Sequence, residues 1–144
     1  MKITICGSVK FADRLVDIYN KLKELGHEPL MHEEMFGIAD GSNINLINDT
    51  RIDHAEAKRK NNFIKIWYTY IKKGDAILVC NFDKHGIRNY IGGNVFLEIG
   101  FAHVNDKKVF LLNPMPNDIG YADEIKAMVD VVINGDLNRI GKEV

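Results

Sequence analysis

Short, nearly continuous apolar runs alternate along this chain with stretches in which apolar residues recur every three or four positions. Residues 2–6, Lys-Ile-Thr-Ile-Cys, read as a buried strand ended by Gly7-Ser8. Over 11–25, Phe11, Leu15, Ile18, Leu22 and Leu25 share one helical face, and Gly26 is a natural stop. A second strand is expected over 28–31, with Pro29 placed as an edge strand tolerates. Residues 32–48 are polar and irregular and are predicted as a long loop. Helical spacing returns over 48–73. The first half is charged (Arg51, Asp53, His54, Glu56, Lys58, Arg59, Lys60), and the second carries Phe63, Ile64, Trp67, Tyr68 and Ile71, which read as core or subunit contact. Residues 76–80 give the clearest strand. After a loop at 81–93 come a helix over 93–105, a strand over 109–112, a proline-stiffened loop at 113–117, a helix over 121–128 and a strand over 131–133.

Strands that are apolar throughout and separated by helices belong in a parallel sheet covered on both faces. The expected fold is one α/β domain over residues 1–144, a five-stranded parallel sheet in a flavodoxin-like (Rossmann-like) three-layer sandwich. Its ligand should sit at the carboxyl ends of the strands near the topological switch point.

Composition narrows the function classes. The chain has 144 residues, 46% hydrophobic and 27% charged, with a net charge of −1, so it lacks the basic field that nucleic-acid binding requires. No apolar run approaches the length of a membrane span, and Met1-Lys2 leads directly into strand residues rather than a signal sequence. Cys6 and Cys80 both fall in strand runs, which suits buried free thiols in a reducing cytoplasm. His27, His32, His54, His85 and His103 show no metal-ligand spacing, and no metal is expected.

The carboxyl-end rule then sorts the polar residues. Gly7, Ser8 and Lys10 follow strand one, where a glycine turn, a hydroxyl and a helix N-terminus suit an anion or sugar hydroxyls. A plain N-cap at Ser8 is an equal reading. His32, Glu33 and Glu34 follow strand two, and Asn113 follows strand four. Asn81, Asp83 and His85 follow strand three and lead to the segment Gly92-Gly93-Asn94-Val95-Phe96-Leu97-Glu98. There, Gly92 and Gly93 permit a tight turn against a ligand, and Asn94 is expected to cap the helix. Glu98 is a carboxylate among apolar neighbours, so it either has a partner or performs chemistry. Asp75 precedes its strand and is read as structural, at the opposite rim.

Four stretches resemble the nucleoside 2-deoxyribosyltransferase family, including its 2′-deoxynucleoside 5′-phosphate N-hydrolase relatives. They are Cys6-Gly7-Ser8-Val9-Lys10, Asp75-Ala76-Ile77-Leu78-Val79, Phe96-Leu97-Glu98-Ile99-Gly100-Phe101-Ala102 and Lys108-Val109, and the similarity spans most of residues 1–113. The resemblance implies that Glu98 is a nucleophile attacking the anomeric carbon of a nucleoside or nucleotide, as in a retaining glycosidase, with water or a second base as acceptor. Gly7, Ser8 and Lys10 would line the sugar or phosphate side, and Gly92, Gly93 and Asn94 the sugar and base. No cofactor is implied, and the chain would form a homodimer or higher homo-oligomer whose neighbouring subunit helps close the site. The chain departs from the family pattern in having no acid over 62–68, Gly92 six positions before Glu98 where a polar residue is expected, and Asn94 where a glycine is expected. Glu33, Glu34 and Asp83 are candidates for a general acid. A non-catalytic nucleotide-binding module of the same fold is the alternative function. A flavodoxin-like electron carrier is a weaker third, because the first turn lacks a run of hydroxyl residues.

Overall fold

A computed structural model describes residues 1–42 and 62–142. Five parallel strands form one sheet in the order β2-β1-β3-β4-β5, built from β1 (Lys2–Cys6), β2 (Glu28–Leu30), β3 (Ala76–Val79), β4 (Lys108–Leu111) and β5 (Val131–Val132). The order is flavodoxin-like, as expected. The three inner strands are buried almost throughout, which is why their sequences carry no polar alternation. Register is set by pairs such as Cys6 with Val79 and Val79 with Leu111, so the strands end nearly level. Pro29 lies in β2, an edge strand, where a missing N–H costs little.

Among the described residues the α-helices are α1 (Ala12–Glu24), α2 (Glu34–Asp40), α3 (Phe63–Lys73), α4 (Gly93–Val104) and α5 (Ala122–Met128). α1 packs on β2 and α2 through a face of Ala12, Leu15, Ile18 and Leu22. α3 lies over β1, α4 lies over β3 and β4, and α3 and α4 pack against each other. The core runs from Ile3 and Ile5 through Ile77 and Leu78 to Phe110 and Ile125, all fully buried.

Two expectations need correction. Residues 32–48 are not wholly irregular, because Glu34–Asp40 forms a helix ended by Gly41 in the left-handed conformation. The long helix predicted over 48–73 is described only as Phe63–Lys73, entered through Asn62 at φ 54°; its charged first half lies outside the described residues. Asp75 does what a rim residue should. Its Oδ2 accepts from the Lys2 backbone N–H at 2.7 Å, and its own N–H donates to Lys2 O at 2.7 Å, tying the amino ends of β1 and β3 together.

Candidate active site

The strand order reverses between β1 and β3, so their following loops diverge and leave a crevice. A cavity of about 500 Å³ opens there, within the roughly 300–1,000 Å³ usual for small-molecule sites. The turn after β1 forms one wall. Gly7 allows the turn to press on α1, since a Cβ at that position would stand 3.0 Å from a Leu15 methyl and 3.5 Å from Cys80 Cβ. Ser8 follows, and its Oγ accepts both from the Lys10 N–H at 3.3 Å and from Lys84 Nζ at 2.9 Å. Ser8 is therefore a cap for the 3-10 turn Val9–Phe11 and also part of the cavity wall, with a cation from the loop after β3 bound to it.

The opposite wall comes from that loop and the start of α4. The loop turns through Lys84 and Ile87, whose backbones pair, and through His85, Gly86 and Asn89 at positive φ. Asp83 Oδ1 accepts from the Asn89 N–H at 2.8 Å and so staples the loop rather than facing the cavity. Buried Ile91 is anchored by the Tyr121 hydroxyl, which donates to its carbonyl. The cavity then meets Gly92, Gly93, Asn94, Val95 and Glu98. The last three share a helix face through their three- and four-residue spacing.

Gly92 and Gly93 do not form a left-handed turn. Gly92 is extended at φ −82°, ψ 176°, and a Cβ on it would meet the Tyr90 ring at 3.4 Å, whereas among the described residues nothing outside the local backbone stands within 4 Å of a Cβ built on Gly93, so Gly93 supplies room. Asn94 does not cap the helix either. Gly92 occupies the capping position with no side-chain bond, and Asn94 sits inside the first turn.

Glu98 is half-buried as a residue, yet its Oε2 is shielded from solvent and has no hydrogen-bond partner among the described residues. Burial pushes its carboxyl up to about 8 from an ordinary 4.5, against the smaller downward pull of the facing Cys6 thiol. The Cys6 thiol is raised well above its usual range, by burial first and then by the facing Glu98 charge, and Cys80 is pushed up to about 12 by burial. Both thiols are buried and unpaired, as the sequence suggests, and Cys6 in addition faces Glu98.

The structure thus brings Gly7, Ser8, Lys10, Gly92, Gly93, Asn94 and Glu98 around one cavity. Asn113 is not among its lining residues. It closes a clasp with buried Asn81: the Asn113 N–H donates to Asn81 Oδ1 at 2.9 Å, and Asn81 Nδ2 donates to the carbonyls of Asn113 and Pro114 at 3.1 and 3.0 Å. This joins the ends of β3 and β4, so the sequence-based placement of Asn113 against the ligand is not met. Glu34 lines the cavity, whereas Glu33 does not.

Several lining residues escape the sequence reading. Phe63 and Trp67 face the cavity as well as the core, contrary to their expected purely packing role. His32 stacks on Trp67 at 5.7 Å with an 8° interplanar angle, and Phe63 meets His32 edge-on at 5.6 Å. Phe82 meets Phe11 edge-on at 5.3 Å, and the Arg14 guanidinium stands 3.5 Å from its ring centre. The periodicity of α3 shows only that these aromatics share a face. That the face ends over the cavity is set by the packing of α3 on β1.

A five-stranded parallel α/β sandwich with its cavity at the switch point is thus the class that fold and site define. No family model matches the chain, and no curated protein sequence does. Among solved structures it is similar to the CMP N-glycosidase BcmB of Clostridium botulinum, with 16% identity, a TM-score of 0.54, and coverage of 92% of this chain and 88% of that one. At that identity the likeness is one of fold.

Proposed function

We propose that this protein cleaves the N-glycosidic bond of a nucleoside or nucleotide, with Glu98 as the nucleophile. The observation that carries the reading is the solvent-shielded, unpartnered Oε2 of Glu98 on the wall of an open cavity at the sheet's carboxyl edge. A carboxylate in such a site is poorly satisfied when the site is empty and strongly stabilising once positive charge develops beside it. Glycosyl transfer supplies that charge as an oxocarbenium-like transition state. A Glu98 oxygen bonds to the anomeric carbon as the carbon–nitrogen bond breaks; the electron pair of that bond leaves with the base, which takes up a proton from solvent, balanced by the proton the acceptor loses in the second step. Water or a second base then displaces Glu98. The shared fold with a CMP N-glycosidase supports the same reading.

On this reading Gly7, Ser8 and Lys10 border the sugar or phosphate, with Lys84 adding positive charge beside Ser8, and Gly92, Gly93 and Asn94 border the sugar and base. The exposed apolar residues Ile64, Tyr68, Leu97 and Val104 on α3 and α4 support a homo-oligomer. Two unpaired thiols suit the cytoplasm.

Incubation with deoxynucleosides, ribonucleosides and their monophosphates, followed by chromatography, tests the proposal: one class should release free base. A second reading, nucleotide binding without turnover, draws on Glu98 being held protonated up to about 8 and on the absence of an acid over 62–68. No release from any compound, together with thermal stabilisation by one of them, would favour it.

A further inference from the structure

His32 is fixed by three separate contacts. Its Nδ1 accepts from the Glu34 backbone N–H at 3.0 Å, its face stacks on Trp67, and Phe63 packs against it edge-on. A nitrogen that accepts an N–H bond carries no proton of its own, so the neutral ring bears its hydrogen on Nε2. No described residue accepts from that N–H, and the ring lies on the cavity wall. An aromatic wall with one oriented donor is a recognition element for a flat heterocycle that has an acceptor on its edge.

We infer that His32 is the base-contacting residue of the site. Its Nε2–H donates to a ring nitrogen or carbonyl oxygen of the nucleobase, and Trp67 holds the imidazole in the donating orientation. The inference rests on the proposed N-glycosidic reading in assuming that the cavity holds a nucleobase. It adds to that reading by giving the base a hydrogen-bond partner, whose donation also offsets the negative charge the base acquires as it departs. Two of the three acids expected from sequence do not face the cavity, and the third, Glu34, lines it as His32 does. Glu33 lies off the cavity and Asp83 is committed to Asn89, whereas His32 reaches the cavity from the loop after β2.

Two substitutions separate the contact from the scaffold. In His32→Asn the amide oxygen can still accept from the Glu34 N–H, but the distal donor is lost. In His32→Gln an amide N–H reaches towards the Nε2 position. The expected result is an approximately 10–100-fold loss of kcat/KM in His32→Asn and recovery to within about threefold of wild type in His32→Gln. A packing role would instead make both variants equally defective.

A second readout does not require turnover. In protein labelled with 15N-histidine, titration with the uridine, cytidine, adenosine and guanosine 5′-monophosphates should shift the His32 Nε2–H resonance saturably for at least one of them. A shift without base release from any compound would keep the contact and overturn the glycosidase reading. Base release with an unmoved His32 signal and an unimpaired His32→Asn variant would overturn the contact and keep the glycosidase. Neither shift nor release would overturn both.

Discussion

Glu98 carries a cost that should be measurable without any substrate. In the folded chain burial holds its proton up to about 8, whereas the unfolded chain releases it near 4.5. Between those values the folded state binds the extra proton, so stability falls as pH rises and the full penalty is present above about 8. Allowing for the partial exposure of the residue, Glu98→Gln should be more stable than wild type by about 1–3 kcal/mol at pH 9 and by little at pH 4. Urea melts at the two pH values measure the difference, and an equal effect at both would show that the carboxyl is not held protonated. The same burial bears on activity. If ionised Glu98 is the nucleophile, kcat/KM should climb with pH to a plateau above about 8. At this scale Glu98 is legible because a single acid among apolar neighbours is conspicuous in a sequence. Lys84 and the Cys6 thiol are not, because their significance depends on groups distant in the chain, Ser8 for Lys84 and Glu98 for Cys6; His32 is placed near the ligand by its position after β2, but its stacking on Trp67 is not legible.

The Asn81–Asn113 clasp is the clearest case of a loop feature that serves the elements rather than the ligand. Asn81 is 1% exposed and bonds the backbone just beyond β4, holding level the two strand ends from which the cavity wall departs. Asn81→Ala should cost about 2–4 kcal/mol in a denaturant melt, because it leaves Asn113 and Pro114 backbone groups unpaired, and Asn113→Ala should cost less. A change below about 0.5 kcal/mol for Asn81→Ala would deny the clasp its role. The strands are readable because double-sided burial removes polar residues from them. α2 is hidden for an equally physical reason. Its first N–H is satisfied by the ring nitrogen of His32 rather than by a Ser, Thr, Asp or Asn side chain, so the usual start signal is absent. Asn94 misleads in the opposite sense, offering a capping side chain inside the first turn of a helix that begins at Gly93.

Over the whole molecule, the order of apolar runs is enough to give the sheet order and the position of the cavity. It does not give what covers α3 and α4. Leu97 and Val104 on α4 are 46% and 74% exposed, Ile64 and Tyr68 on α3 are 42% and 37% exposed, and Tyr68 meets Phe101 edge-on at 5.1 Å. A small cleft lined by Ile64, Leu97 and Phe101 reaches Glu98 from this side. If a second copy covers the stripe, Leu97→Asp should shift the protein from dimer or larger to monomer in light-scattering chromatography and lower activity with it. An unchanged assembly, or a monomeric wild type, would remove the apolar stripe as a subunit contact.

The central claim is tested most directly by comparing wild type and Glu98→Gln on whichever compound yields free base. Gln keeps the size and polarity of the side chain while removing the oxygen nucleophile, so circular dichroism should remain unchanged. Base release should fall by at least about 10³-fold, the scale of losing a group that forms the covalent intermediate. Turnover by folded Glu98→Gln within about tenfold of wild type would contradict the assignment of Glu98 as nucleophile.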